Sequence, residues 1–144
     1  MSHSFQVTFD ATDPDGLASF WAIALGYIPQ PPPEGFATWD AFAIEAGIPE
    51  EEWGNLRALV DPDGTGPRLL FQKVPEGKTA KNRVHLDVNA DAGHHVERAA
   101  RVDAVERHVA QLLDAGASFL ERFDREHEYW VVMQDPEGNE FCVQ

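Results

Sequence analysis

One cysteine, Cys142, is all that 144 residues contain. An internal disulfide framework is therefore excluded, and the composition suits a reducing compartment. Long apolar runs are missing too; none approaches the roughly 20 residues a membrane span requires. Met1-Ser2-His3-Ser4 leads straight into a strand-like stretch, without the pattern of a secretory signal. These absences lead to the expectation of a cytoplasmic protein. Positive charge is also scarce, with 11 basic against 25 acidic residues and a net charge of −14. The deficit is spread along the chain, −8 over residues 1–78 and −6 over 79–144. Such a surface repels phosphate backbones and anionic membranes, so neither nucleic acid nor a membrane is expected as a partner.

What the chain does contain is a repeated phrase. Asp61-Pro62-Asp63-Gly64 precedes the apolar run Leu69–Phe71, and Asp135-Pro136-Glu137-Gly138 precedes Phe141–Val143, 74 positions later. Asp bonds its own backbone, Pro sets the next φ, and Gly accepts positive φ, so each phrase is a turn. A turn at the same place in successive units predicts a duplicated module.

The patterning agrees. Phe5–Ala11 alternates, with Phe5, Val7 and Phe9 on one face and Gln6, Thr8 and Asp10 on the other. Asp13-Pro14 opens a helix over 14–25 through Leu17, Phe20, Trp21, Ala24 and Leu25, closed by Gly26. Tyr27–Ile28 starts at most an edge strand before the prolines at 29 and 31–33. Thr38–Ala46 reads as a short helix with Trp39, Phe42 and either Ala43 or Ala46 inward, inside an aromatic-rich segment, 29–56. Strands are predicted over Leu56–Val60 and Leu69–Val74.

Glu76–Lys81 is the polar connection between halves. Arg83–Asn89 then alternates like the first strand, with Val84, Leu86 and Val88 facing a core and Arg83, His85 and Asp87 opposite. Val102, Val105, Val109, Leu112 and Leu113 make a helical stripe ending at Gly116, and strands follow over 119–123, 129–134 and 140–144. The fold class expected is α+β: two βαβββ modules, about 4–76 and 82–144, forming one domain over 1–144. Its mixed sheet would be cupped, with helices outside.

If the apolar faces lie beneath helices, Gln6, His85, Glu140 and Cys142 converge on the concave side, with Gln72 beside them. Histidine is the commonest ligand for borderline metals, and amide or carboxylate oxygens suit harder ions. Trp39, Phe42 and Trp130 are candidates for walling a ligand cavity. His94-His95, His108 and His127 are read as surface residues.

Three segments resemble the vicinal oxygen chelate superfamily: Phe20–Tyr27 its helix and glycine exit, Val84–Val88 its histidine strand, and Asp135–Phe141 its closing turn. With Phe71–Pro75 and Asn82–Asp87, the chain is similar to glyoxalase-like domain proteins, the glyoxalase/bleomycin resistance branch. The resemblance implies a divalent metal held on the first and last strands of the paired modules, acting as a Lewis acid on substrate oxygens. Carried across, Gln6 falls at the first-strand ligand position, His85 at the second-module histidine, and Cys142 where metal-dependent relatives usually carry a carboxylate. Gln6, His85 and Cys142 form the candidate metal set, for which zinc is the most compatible ion. Ligand-binding candidates are Gln6, Trp39, Gln72, His85, Asp87, Trp130 and Glu140. The functions implied are a metal-assisted lyase or dioxygenase, or alternatively a metal-free small-molecule binding protein of the bleomycin-resistance type. Dimerisation is common in the family, so a homodimer is among the expected states.

Overall fold

A computed structural model describes residues 1–90 and 96–144. The His94-His95 pair lies outside the described residues. The chain is α+β and divides into two compact units, one of Met1–Ala22 and Gly26–Gly77, the other of Ile23–Leu25 and Lys78–Gln144.

In the first unit, β1 (Gln6–Ala11) leads into α1 (Pro14–Leu25) and β2 (Ile28–Pro29). A short α2 (Trp39–Glu45) and a single 3-10 turn, Glu50–Glu52, precede β3 (Leu56–Val60) and β4 (Arg68–Lys73). The Asp13 side chain accepts from Gly16 N–H at the start of α1. Gly26, at φ 68°, ends it in the left-handed conformation. The sheet order is β1-β4-β3-β2, with β1 parallel to β4 and the other pairs antiparallel. Phe9 ties strand to helix: its ring lies 5.1 Å from Trp21 and stacks 5.0 Å from Phe71. Leu17, Phe20, Trp21, Leu59, Leu69 and Phe71 are buried around that contact.

The second unit repeats the order with β5 (Asp87–Val88), α3 (Arg98–Asp114), β6 (Ser118–Asp124), β7 (Tyr129–Gln134) and β8 (Glu140–Val143). Its sheet runs β5-β8-β7-β6, with β5 parallel to β8. The stripe Val105, Val109 and Leu112 on α3 is buried, as are Val131, Met133, Phe141 and Val143 on the sheet. Polar contacts fix the helix against the sheet. Arg122 donates to both Glu106 carboxylate oxygens at 2.8 and 3.0 Å, and Tyr129 Oη also donates to Glu106. These donors hold the Glu106 carboxyl below its ordinary range. A register shift between Phe119 and Glu121 puts a bulge in β6.

Several expectations are corrected. Phe5 and Val84 were placed on core faces, but both are exposed, at 71% and 80%. Phe5 lies one residue before β1, and Val84 lies in bent backbone before β5, so neither is held by a ladder to point inward. The second-module strand expected over 83–89 shrinks to Asp87–Val88. Trp39 and Leu113 stay largely exposed, and only Ala43 of α2 is buried. His108, read as a surface residue, is half-buried with Nε2 2.9 Å from the Ala24 carbonyl oxygen.

Both repeated phrases are turns built on their first aspartate. Asp61 accepts from the N–H groups of Asp63, Thr65 and Gly66 and from the Thr65 hydroxyl. Asp135 accepts from the N–H groups of Glu137 and Asn139 and from the Asn139 side-chain amide. Asp135 is 2% exposed, whereas Asp61 is only half-buried. Asp135→Ala removes a buried acceptor and strands part-buried donors, and is expected to cost about 2 kcal/mol in urea unfolding, above the cost of Asp61→Ala. The backbone bonds of Asp61 lower its pKa from 3.8 to about 2. A depressed carboxylate stabilises above its unfolded pKa, and that contribution is lost as pH falls towards 2. Acid unfolding followed by circular dichroism is therefore expected to show a shallower stability loss below pH 4 in Asp61→Asn.

Candidate functional site

The second unit gathers three donor groups. β5 and β8 pair in parallel so that Asp87 sits beside Cys142 and Val88 beside Val143. Val88, Phe141 and Val143 are buried, so strand alternation turns Asp87 and Cys142 to the opposite face. His85, two residues before Asp87, brings Nδ1 to 3.0 Å from Asp87 Oδ1. One ligand atom each from His85, Asp87 and Cys142 lie within 4.8 Å of one another.

The electrostatics set the resting state. Burial, then the neighbouring Asp87 carboxylate, push the Cys142 thiol up to about 11. At neutral pH it is a thiol, not a thiolate, and a poor nucleophile. With a proton on Nδ1, His85 donates to Asp87 and leaves Nε2 with a free lone pair. The donor set of nitrogen, oxygen and sulfur within one ion's reach suits a borderline cation such as zinc, whose binding would displace the thiol proton.

The remaining candidates are each held by other partners. In the first unit, Gln6 Oε1 accepts from Arg68 Nη1 at 2.8 Å. That amide oxygen is committed to a guanidinium, a neighbour better suited to an anionic or polar ligand than to a cation. Gln72 donates to Asp10 Oδ1 at 2.8 Å, which places it along the polar face of β1. Trp39 Nε1 donates to the Gln30 carbonyl, and its ring meets Phe42 edge-on.

In the second unit, Trp130 stacks on Phe123 at 4.6 Å, with the Arg125 guanidinium 5.2 Å from its centroid. Glu140 accepts from Asn82 N–H at 2.9 Å and pairs with Lys78 at 3.1 Å. These bonds, the Asn82 amide foremost, lower its pKa to about 2.

The sequence points to His85, Asp87 and Cys142, but groups His85 and Cys142 with Gln6 as metal donors and leaves Asp87 among the ligand contacts. The shared face of His85 and Asp87 was legible from their i, i+2 spacing; what local sequence does not carry is the β5–β8 pairing that sets Asp87 beside Cys142. Arg68, Lys78 and Asn82 were missed as partners, because long-range pairing leaves no local signal.

Two βαβββ units, each with its first strand parallel to its last, define the fold of the vicinal oxygen chelate superfamily. A family model described as the glyoxalase-like domain matches residues 6–144, and the chain belongs to that family. Among solved structures it is similar to a glyoxalase/bleomycin resistance protein/dioxygenase family enzyme from Burkholderia phytofirmans PsJN. The two share 17% identity and a TM-score of 0.62, over 96% of this chain and 94% of that one. It is also similar to the fosfomycin resistance protein FosX from Listeria monocytogenes, in complex with Mn(II) and 1S,2S-dihydroxypropylphosphonic acid. There the identity is 8% and the TM-score 0.63, over 100% and 90% of the chains. The hypothetical protein SA1046 from S. aureus aligns at 12% identity and a TM-score of 0.61, over 99% and 96%. No curated protein matches the chain at a significant level. Among the described residues, no helix is long and apolar enough to cross a membrane.

Asp87 is the lever on thiol reactivity. Alkylation of wild-type Cys142 by iodoacetamide is expected to keep accelerating with pH to about 11. Asp87→Asn removes the adjacent negative charge, so the rate–pH curve moves to lower pH. Alkylation rates followed by intact mass across pH 7–11 check this.

Proposed function

We propose that residues 1–144 form one glyoxalase-like domain, with modules at about 4–76 and 82–144, that binds a small molecule and carries a divalent-metal centre on its second module. His85, Asp87 and Cys142 would hold the ion, and zinc matches this donor chemistry best. The observation that carries the reading is the convergence of their ligand atoms within 4.8 Å. A divalent ion there supplies Lewis acidity toward substrate oxygens. The reaction class that follows is a lyase or dioxygenase step in which negative charge develops on such an oxygen.

The chain's own residues have separate tasks. Without an ion, Asp87 accepts from His85 Nδ1 and so holds the ring with that nitrogen toward its carboxylate, where an ion shared with Cys142 would take the place of the Nδ1 proton. Backbone pairing sets Cys142 beside Asp87, and the thiol donates a hydrogen bond to the Asp87 carboxylate. Gln6, Gln72, Trp39 and Trp130 are proposed ligand contacts, with Arg68 beside Gln6 favouring a polar or anionic group. The FosX relative, whose complex holds Mn(II) and a phosphonic acid, supports a small polar substrate class.

A second reading has its own support. The Cys142 thiol is neutral at ordinary pH, so without an ion the site is a His–Asp pair beside an uncharged thiol. That arrangement would bind a small molecule by hydrogen bonding alone, as a sequestering protein.

Cobalt titration of tag-free protein separates the two. The metal reading expects one equivalent of Co(II), a thiolate-to-cobalt charge-transfer band, and displacement by zinc. Cys142→Ser is expected to abolish the band, and His85→Ala to weaken binding by at least about tenfold. A wild-type protein that takes up no cobalt would leave the metal-free reading.

A further inference from the structure

Glu140 lies on the same strand as Cys142 and was a natural candidate to touch a ligand. Its surroundings assign it elsewhere. The side chain is 12% exposed, and both carboxylate oxygens are engaged. Asn82 N–H donates to Oε2 at 2.9 Å, while Lys78 Nζ lies 3.1 Å from Oε2 and 3.3 Å from Oε1. Lys78 is itself only 23% exposed, and it also donates to the Ala80 carbonyl. A carboxylate so enclosed has little capacity left for a ligand.

What it holds matters more. Asn82 is three residues before His85, and the intervening Arg83 and Val84 are bent and exposed. No strand forms over 83–86, since β5 starts only at Asp87. One residue beyond His85, the Leu86 carbonyl accepts from Cys142 N–H at 3.0 Å. His85 therefore sits on a short span anchored at both ends to β8, by the Glu140 side chain at Asn82 and by the Cys142 backbone at Leu86. The second anchor is ordinary ladder pairing and needs only a backbone N–H at 142, which every residue but proline supplies. The first depends on one side chain.

Resting on the reading of His85 as the centre's principal nitrogen donor, we infer that Glu140 is a positioning residue that holds His85 in place through the Asn82 amide. It touches no substrate. The essential bond runs from a backbone N–H to a side-chain oxygen, so a neutral acceptor of the same length preserves it, whereas truncation releases the span between residues 78 and 86. Asp87 then has to orient a His85 whose backbone is tethered on one side only.

Metal-free protein provides the test, with Glu140→Ala and Glu140→Gln compared by NMR. In Glu140→Ala, Asn82 amide hydrogen exchange is expected to accelerate at least about tenfold, the equivalent of one lost charge-assisted bond. The His85 ring nitrogen shifts are expected to move from a single tautomer held by Asp87 towards the averaged values of a free imidazole. The amides of Val131 and Met133, deep in the sheet, should keep their protection. Glu140→Gln should restore both signatures to near wild type. Unchanged His85 shifts in Glu140→Ala would overturn the assignment, and so would equal acceleration at Asn82 and the sheet amides, which marks general destabilisation. These readouts need no bound ion. Altered His85 shifts in a protein whose wild type binds no cobalt would support the role of Glu140 and sink only the metal reading.

Discussion

A parallel ladder of two residues sets everything at the candidate centre. Asp87 pairs with Cys142 and Val88 with Val143, and the fixed spacing of that ladder decides which side chains meet. Val88 and Val143 bury on the helix side, so their neighbours must emerge on the other. A slip of one residue would reverse both faces and bury a carboxylate and a thiol among valines. The buried apolar pair is thus what specifies the polar one. Pairing of first and last strands in the other unit obeys the same logic, with Phe9 beside Phe71 on the inner face and Asp10 beside Gln72 on the outer.

The turn before β8 extends this control. Asp135 is buried and receives hydrogen bonds from Glu137 and Asn139, which fixes where β8 begins. Gly138, at φ 85°, makes the reversal without strain. Four residues later comes Cys142. The turn therefore fixes the register of β8, and through it the position of the thiol. Glu140, between turn and thiol, reaches sideways to the incoming segment.

Much of this architecture was readable because its signals are local. Asp13-Pro14 and Gly26 bracket α1, and Thr38 caps α2. The two aspartate turns precede β4 and β8, and burial alternates from Val7 to Ala11 and from Glu140 to Val143. What sequence could not reveal were contacts made across long separations. Nothing near Glu140 announces Lys78 or Asn82, and nothing near Gln6 announces Arg68. Val84 shows the other limit: its alternation with Leu86 and Val88 looked strand-like, yet backbone pairing begins only at residue 87. Periodicity records which residues would share a face if a ladder existed, and the ladder itself needs a partner strand of matching length.

The bulge in β6 and the proline in β2 bear on how the protein behaves in a crowded solution. Each of these strands ends its sheet, with one row of backbone groups unmatched. Pro29 removes a donor from one row, and the irregularity near Leu120 bends the other out of the flat geometry that an incoming strand would need. Fibril-like stacking of copies is therefore discouraged at both rims, and the heavy negative charge adds mutual repulsion.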